Sequence, residues 1–339
     1  MKHFQISSPL ILEARKESDW DGNFLLVPIA APKNNTPEKP GKKIGDTLLL
    51  TGEETQLLIS LGMTEKISRK TIRKAGEATA KWLIAHQASK VGLRATAFDD
   101  FGIKNALDAF CEGLLLGAFS FDLHKAKRDD IERVNVHLLA DRDISRLQER
   151  ITRVTAIVDG VNLARELSHE PPNVIIPVSL VERVQTLASE TGLKCTVFGE
   201  KELTEMGAGA ILSVGLGSKT PSQMIILEHL GHGARAEEPP VVVVGKAITF
   251  DTGGYSLKDT KGIVGMKFDK SGGMVVLGIM KAVAALNLPI PVIGIVAAAE
   301  NMISAEAYRP NDIIRSLSGK TIEIISTDAE GRMVLADAL

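Results

Sequence analysis

Residues 241–258, VVVVGKAITFDTGGYSLK, join a run of four valines to a glycine-rich segment that carries two lysines and an aspartate. An apolar run bounded by glycine predicts a strand that is buried on both faces, as in the parallel sheets of α/β proteins. Open α/β sheets bind their ligands at the carboxyl ends of such strands. We therefore take Lys246, Asp251 and Lys258 as candidate functional residues.

Strands and helices alternate along the chain on both sides of this stretch. Apolar periodicity predicts helices over 64–88, 106–119, 144–168, 179–190 and 273–285, and strands over 23–31, 133–139, 194–197, 223–228, 241–244, 291–298 and 321–325. Polar loops are predicted at 32–43 and 231–240. This alternation predicts an α/β protein in which each domain is a mixed sheet flanked by helices.

The domain organisation follows from the length and from one long amphipathic segment. A chain of 339 residues corresponds to about two domains. The predicted helix ends before Pro171 and Pro172, since proline cannot continue a helical hydrogen-bond ladder. We predict an N-terminal α/β domain over 1–143, a linker helix over 144–170 and a second domain over 171–339.

Composition and charge exclude several classes of protein. The hydrophobic content of 44% excludes global disorder, and a net charge of −2 gives no basic excess for binding nucleic acid. Cys111 and Cys195 form no metal-binding or disulfide framework, which favours a reducing compartment. The apolar run at 289–299 is shorter than the roughly 20 residues of a membrane span, and the amino terminus lacks a secretory cleavage pattern. We expect a soluble, cytoplasmic protein that binds neither membrane nor nucleic acid.

Two further segments carry clustered acidic residues. MKFDKSGG, residues 266–273, places Asp269 just before a predicted helix. IEIISTDAEGR, residues 322–332, places Asp328 and Glu330 two positions apart, so that both project to one side of an extended segment. Each segment lies next to a predicted strand or helix of the second domain.

Four carboxylates in one pocket repel one another unless a cation neutralises them. Divalent metals are the natural partners, and a pair of them is an arrangement that activates water for hydrolysis. None of the seven histidines lies in these three segments, which favours oxygen ligands and exchange among Zn, Mn, Co or Mg.

Each residue taken singly also has an ordinary structural explanation. Asp269 is in a position to cap the following helix, and Met266 is suited to packing. Isolated lysines are usually solvated. Asp251 lies in a DTG triplet like that of aspartic proteases, but their mechanism needs two such carboxylates and the chain has one triplet.

The three blocks together resemble a known family. GKAITFDTGGYSLK, MKFD and STDAEGR, in this order, are similar to the signature blocks of the leucyl aminopeptidase family of dinuclear metallopeptidases. The resemblance implies a catalytic domain with a three-layer α/β/α, phosphorylase/hydrolase-like fold, a macro-like N-terminal domain and a homohexamer. It also implies removal of apolar, leucine-like residues from the amino terminus of peptides by a hydroxide that two metals activate.

The resemblance assigns metal ligands position by position. It implies that Lys246, Asp251, Asp269 and Glu330 bind the more exchangeable metal and that Asp251, Asp328 and Glu330 bind the second. As a ligand, Lys246 would be an uncharged amine. Mn and Zn are the first expectations for the metals, with Co and Mg as alternatives.

The resemblance also assigns three residues beyond the metal ligands. Lys258 is expected to stay charged and to stabilise the oxyanion of the transition state. Arg332 is expected to hold a bicarbonate ion that shuttles a proton, and Met266 is expected to line the pocket for the first side chain.

The chain departs from the family pattern in three respects. Ser326 replaces an asparagine, and Lys270 replaces a methionine, so we expect Lys270 to pair with a carboxylate or to alter metal preference. Family members also continue beyond LADAL, residues 335–339, so we expect a C-terminal truncation. The alternative function is a catalytically inactive structural subunit or DNA-binding regulator. A ligand-binding role of the N-terminal domain stays open.

Overall fold

The computed structural model describes residues 8–31, 41–126, 132–231 and 239–339. Most of the two predicted loops, 32–43 and 231–240, lies outside these ranges. The chain divides into two compact units, Met1–Val158 and Asp159–Leu339. Within the described residues, no helix combines the length and apolar character needed to cross a bilayer.

The first unit contains a six-stranded sheet. Its strands are β1 (Leu10–Lys16), β2 (Phe24–Ala31), β3 (Thr47–Leu50), β4 (Thr55–Met63), β5 (Lys90–Arg94) and β6 (Val134–Ala140). The order is β1-β6-β5-β2-β4-β3, and all neighbours are parallel except β3 and β4. The mixed character of the sheet agrees with the predicted fold class.

Three helices supply the core of this unit. They are α1 (Arg69–Ala85), α2 (Ala106–Gly117) and the first half of α3 (Ile144–His169). Ser68 caps α1 by accepting a hydrogen bond from the Thr71 amide. Buried side chains such as Ile72, Phe110 and Ile151 join the helices to the sheet in one cluster. The division between the two units falls within α3.

The second unit contains a four-stranded mixed sheet and a separate two-stranded hairpin. The strands are β7 (Lys194–Phe198), β8 (Gln223–His229), β9 (Val241–Asp251), β10 (Val292–Asn301), β11 (Ile313–Arg315) and β12 (Thr321–Glu323). The helices are α4 (Pro177–Thr191), α5 (Glu200–Met206), α6 (Gly209–Gly215), α7 (Thr260–Ile263), α8 (Ser271–Ala285) and α9 (Glu330–Ala338). The sheet order is β7-β8-β10-β9, in which only β9 and β10 are parallel.

Helices cover both faces of this sheet. On β10, Val296 and Ala298 belong to a core shared with α4 and α8, while Ala297 and Ala299 belong to a core shared with α5, α6 and α9. The alternation follows from the period of two along a strand. The predicted α/β class and its three-layer arrangement are confirmed for this unit.

The expected burial of the valine run is wrong at its start. Val241 and Val242 are 51% and 50% exposed. Among the described strands β9 is the edge of its sheet and pairs only with β10, so these valines lack a second neighbouring strand. Strand β9 also runs to Asp251, well beyond the four residues predicted.

Candidate functional site

The site begins where two parallel strands end. In the register of β9 and β10, Asp251 lies opposite Asn301, the last residue of β10. Asp251 is 2% exposed and Asn301 is fully buried. Asp251 Oδ1 accepts hydrogen bonds from Asn301 Nδ2 at 2.8 Å and from the Gly253 amide at 2.9 Å. The carboxylate is therefore held from one side by two donors.

A glycine turn brings a lysine back to Asp251. Gly253 and Gly254 have φ values of 86° and 62°, in the left-handed region that glycine adopts without strain. After this turn the Lys258 amide donates to the carbonyl of Thr252 at 3.0 Å. Lys258 Nζ then lies 2.9 Å from Asp251 Oδ2 and also contacts Asp328 Oδ1.

Thr327 fixes the third acidic segment against the glycine turn. It begins a 3-10 helix, Thr327–Ala329, and its side chain is fully buried. Its hydroxyl donates to the Gly253 carbonyl at 2.6 Å and accepts from the Ser256 amide at 2.8 Å. Its carbonyl accepts from Asn301 Nδ2 at 3.0 Å and from the Tyr308 hydroxyl at 2.8 Å. These bonds set the position of Asp328 and of the start of α9.

Lys246 joins the two remaining carboxylates. Its Nζ lies 2.6 Å from Glu330 Oε1 and 2.9 Å from Asp269 Oδ2. Space for this side chain depends on Gly331, because a Cβ at that position would lie 2.8 Å from Lys246 Nζ. Asp269 itself is on a 3-10 helix, Met266–Lys270, that precedes α8.

The charged groups of the site shift one another's pKa values. Burial lowers the pKa of Lys246, but its hydrogen bonds to Glu330 and Asp269 outweigh burial and the net shift is upward. Burial also lowers the pKa of Lys258, but its hydrogen bonds to Asp328 and Asp251 outweigh burial and the net shift is again upward. Burial raises the pKa of the Glu330 carboxyl, and the hydrogen bond from Lys246 offsets part of that rise. Both lysines are therefore ammonium groups in this arrangement.

The donor set fits a divalent cation. One carboxylate oxygen each from Asp251, Asp328 and Glu330 lies within 4.8 Å of the others. Glu330 Oε2 is buried and has no hydrogen-bond partner among the residues that the structure describes. With Asp269, four carboxylates face the two ammonium groups, so the cluster keeps a formal charge of −2. Clustered hard oxygen ligands of this kind suit divalent metals.

Lys270 does not pair with a carboxylate of this cluster, which corrects one of our expectations. It is fully buried, and its Nζ donates to the carbonyls of Ser168, Glu170 and Lys267 at 3.2, 2.9 and 2.5 Å. Burial lowers the pKa of Lys270 to about 8. Lys267 donates to the carbonyl of His169 at 2.8 Å. The two lysines thus tie the segment that carries Asp269 to the end of α3.

The structure brings six of the eight predicted site residues into one cluster of ion pairs and neighbouring carboxylates: Lys246, Asp251, Lys258, Asp269, Asp328 and Glu330. The other two lie on the same elements without such contacts. Met266 is half-buried at the start of the 3-10 helix of Asp269, and Arg332 is exposed in the first turn of α9. The roles predicted for all eight residues stay predictions.

Sequence reasoning missed the buried residues that support the site. Asn301, Tyr308 and Thr327 were not among the candidates. Asn301 had a usable pattern, because it follows the apolar run 291–298 in the same way that Asp251 follows the valines. Tyr308 donates to the Thr327 carbonyl across a sequence distance that no local pattern reveals.

Comparison of the sequence with known proteins gives matches within one family. The model described as "Cytosol aminopeptidase family, catalytic domain" matches residues 162–339, and the model described as "Cytosol aminopeptidase family, N-terminal domain" matches residues 40–128. A cytosol aminopeptidase of Pseudomonas aeruginosa is 40% identical over 311 residues, which cover 88% of this chain and 62% of that protein. A probable cytosol aminopeptidase of Syntrophotalea carbinolica is 40% identical over 308 residues, with the same two coverages of 88% and 62%.

A solved structure has the same fold. The bottromycin maturation enzyme BotP in complex with Mn superposes with a TM-score of 0.81 and 28% sequence identity, covering 93% of this chain and 68% of that chain. The chain thus spans about 62% of the length of the curated relatives that it matches.

Proposed function

The chain belongs to the cytosol aminopeptidase family, and we propose that it is a metal-dependent aminopeptidase that removes residues from the amino terminus of peptides. The observation that carries the proposal is the convergence of Asp251, Asp328 and Glu330, with carboxylate oxygens within 4.8 Å, beside Lys246 and Lys258. The family membership supports the reaction class.

Two divalent metal ions would occupy this cluster. Asp251, Asp269, Glu330 and Lys246, the last as the uncharged amine left when its proton is released, would hold one ion. Asp251 and Glu330 would be shared with a second ion that Asp328 also binds. When bound, such ions polarise the peptide carbonyl and make water a nucleophile at neutral pH. BotP is a relative whose structure contains Mn, which supports Mn as the first candidate, with Zn as the second.

The remaining residues act on the substrate. Lys258 is held at the cluster by Asp251 and Asp328, and its raised pKa keeps it protonated. A fixed ammonium group at this position stabilises the negative charge that develops on the peptide oxygen in the transition state. Arg332 would bind an anion such as bicarbonate that moves a proton, since guanidinium is a planar fork of donors.

Specificity and assembly belong to the same proposal. Met266 would line the pocket for the first side chain and favour apolar, leucine-like residues. We also propose a cytoplasmic homohexamer as the working form. No contact among the described residues favours a DNA-binding or purely structural role over catalysis, and the net charge of −2 does not favour nucleic acid.

The test uses the purified 339-residue chain and a leucine anilide. Hydrolysis should stop with a chelator and return with Mn or Zn. Asp328→Ala should lose bound metal and fall to background, and Lys258→Ala should lower turnover by about 10²–10³-fold while retaining metal. Glu205→Ala is the matched control, because Glu205 lies on the exposed face of α5. Metal-independent turnover, or full activity of both site variants, would contradict the proposal.

A further inference from the structure

One fully buried amide joins two of the segments that carry the acidic cluster. Asn301 Nδ2 donates to Asp251 Oδ1 at 2.8 Å and to the Thr327 carbonyl at 3.0 Å. The first bond reaches the end of β9, and the second reaches the 3-10 helix that precedes Glu330. A single side chain thus sets the spacing between Asp251 and the segment of Asp328 and Glu330.

The orientation of this amide is determined by its partners. Asp251 Oδ1 and the Thr327 carbonyl are both acceptors, so only the NH₂ group of Asn301 can face them. The amide oxygen then points away and stays buried without a hydrogen-bond partner in the described part of the chain. A buried polar atom without a partner is uncommon in folded proteins and needs an explanation.

The two oxygens of Asp251 are therefore not equivalent. Oδ1 is engaged by Asn301 and by the Gly253 amide. Oδ2 faces Lys258 Nζ at 2.9 Å, and the same Nζ contacts Asp328 Oδ1, a second carboxylate of the acidic cluster. Without the amide of Asn301, Oδ1 would keep one donor in place of two and the carboxylate would be freer to rotate.

We propose that Asn301 is a positioning residue that reserves Asp251 Oδ2 for the cations by occupying Oδ1. The inference rests on the proposed two-metal function. With Oδ1 occupied, Asp251 would have only Oδ2 to offer to the cations. Asn301 touches neither substrate nor metal, and it acts only through the orientation of Asp251 and of the segment that begins at Thr327.

The experiment compares Asn301→Ala with Tyr308→Phe in the full chain. Tyr308 donates to the same Thr327 carbonyl but makes no bond to Asp251. Tyr308→Phe therefore removes a hydrogen bond to the segment that begins at Thr327 and leaves the bonds of Asp251 in place. Each protein is titrated with Mn²⁺ by calorimetry, and the magnetic coupling of the bound Mn²⁺ pair is recorded by electron paramagnetic resonance.

Asn301→Ala should weaken Mn²⁺ binding by about 10–100-fold, as expected for loss of a group that orients a metal ligand. It should also weaken the magnetic coupling of the pair and lower kcat while KM changes little. Tyr308→Phe should keep the wild-type coupling. Asn301→Leu keeps a similar side-chain volume and removes the donors. It should show the same losses, and it replaces the alanine variant in the comparison if the alanine variant does not fold.

Three results would overturn the inference. Wild-type coupling and affinity in both Asn301 variants would show that Oδ1 needs no amide donor. An equal loss in Tyr308→Phe would show that the effect passes through Thr327 and not through Asp251. A wild-type protein that hydrolyses peptides with only one bound Mn²⁺ also contradicts it. Failure of the wild-type protein to bind Mn²⁺ at all would instead contradict the proposed function.

Discussion

Replacing Gly331 by alanine should impair the site while leaving the fold intact. A Cβ at this position would lie 2.8 Å from both Cδ and Nζ of Lys246. Since nonbonded heavy atoms are most favourable at about 3.5 Å or more, the end of Lys246 must move by about 0.7 Å. Its contacts of 2.6 Å to Glu330 and 2.9 Å to Asp269 cannot both survive that displacement.

The magnitude of the effect follows from this displacement. A misplacement of about 1 Å in a catalytic constellation lowers rates by about 10²-fold, which corresponds to about 2.7 kcal/mol of transition-state stabilisation. The free energy of unfolding should change by less than about 1 kcal/mol, because the clash involves the end of a flexible side chain and alanine favours the helix over glycine. Function and stability should therefore separate in this variant.

The assay measures leucine anilide turnover, Mn²⁺ affinity by calorimetry and urea denaturation of the same preparation. Gly52→Ala is the control, because a Cβ there would meet only the Glu54 carbonyl at 3.8 Å. Wild-type turnover together with wild-type Mn²⁺ affinity in Gly331→Ala would refute the reasoning. A large loss of stability would also refute it, since the three atoms nearest to the new methyl group all belong to the flexible side chain of Lys246.

Three further variants test the packing that supports the site. Lys270→Met leaves three carbonyls without their buried donor and should lower the free energy of unfolding by about 2–4 kcal/mol in urea, whereas Lys201→Met, at an exposed position, should have no effect. Thr327→Val removes a buried hydroxyl with two partners and should lower the free energy of unfolding by about 1–3 kcal/mol, measured by calorimetry. An unchanged melting temperature would contradict the hydrogen bonds described. Gly278→Ala places a Cβ 2.4 Å from the Gly160 carbonyl oxygen and should lower the free energy of unfolding by about 1–3 kcal/mol. An unchanged free energy of unfolding would show that α3 and α8 move apart at little cost.

Much of the fold follows from local pattern in the sequence. The predicted helix over 273–285 corresponds to α8 (Ser271–Ala285), and the predicted strand over 133–139 corresponds to β6 (Val134–Ala140). The spacing of apolar residues, together with flanking glycine or proline, is sufficient to predict such elements. The exposure of Val241 was not predictable in this way, because it depends on the place of β9 in the strand order.

The candidate site was likewise predictable only where local sequence pattern determines it. Asp251 was predictable because it is a charged residue at the end of an apolar strand. The partners of Lys270 were not predictable, because every residue has a backbone carbonyl and no sequence pattern identifies the one that a lysine will contact. The Ser168 carbonyl is also 102 positions away. The role of Asn301 likewise depends on the register of β9 and β10, which is a property of the assembled sheet.

The pairing of Lys246 and Lys258 with acidic partners has a consequence for metal uptake. Each ammonium group lies between carboxylates from different segments, so each lysine offsets part of the repulsion between these segments before any ion binds. Folding alone therefore brings these carboxylates together, and a divalent ion would meet oxygens that are already ordered. Little conformational entropy would then be lost when the ion binds, because no loop has to be ordered at that step.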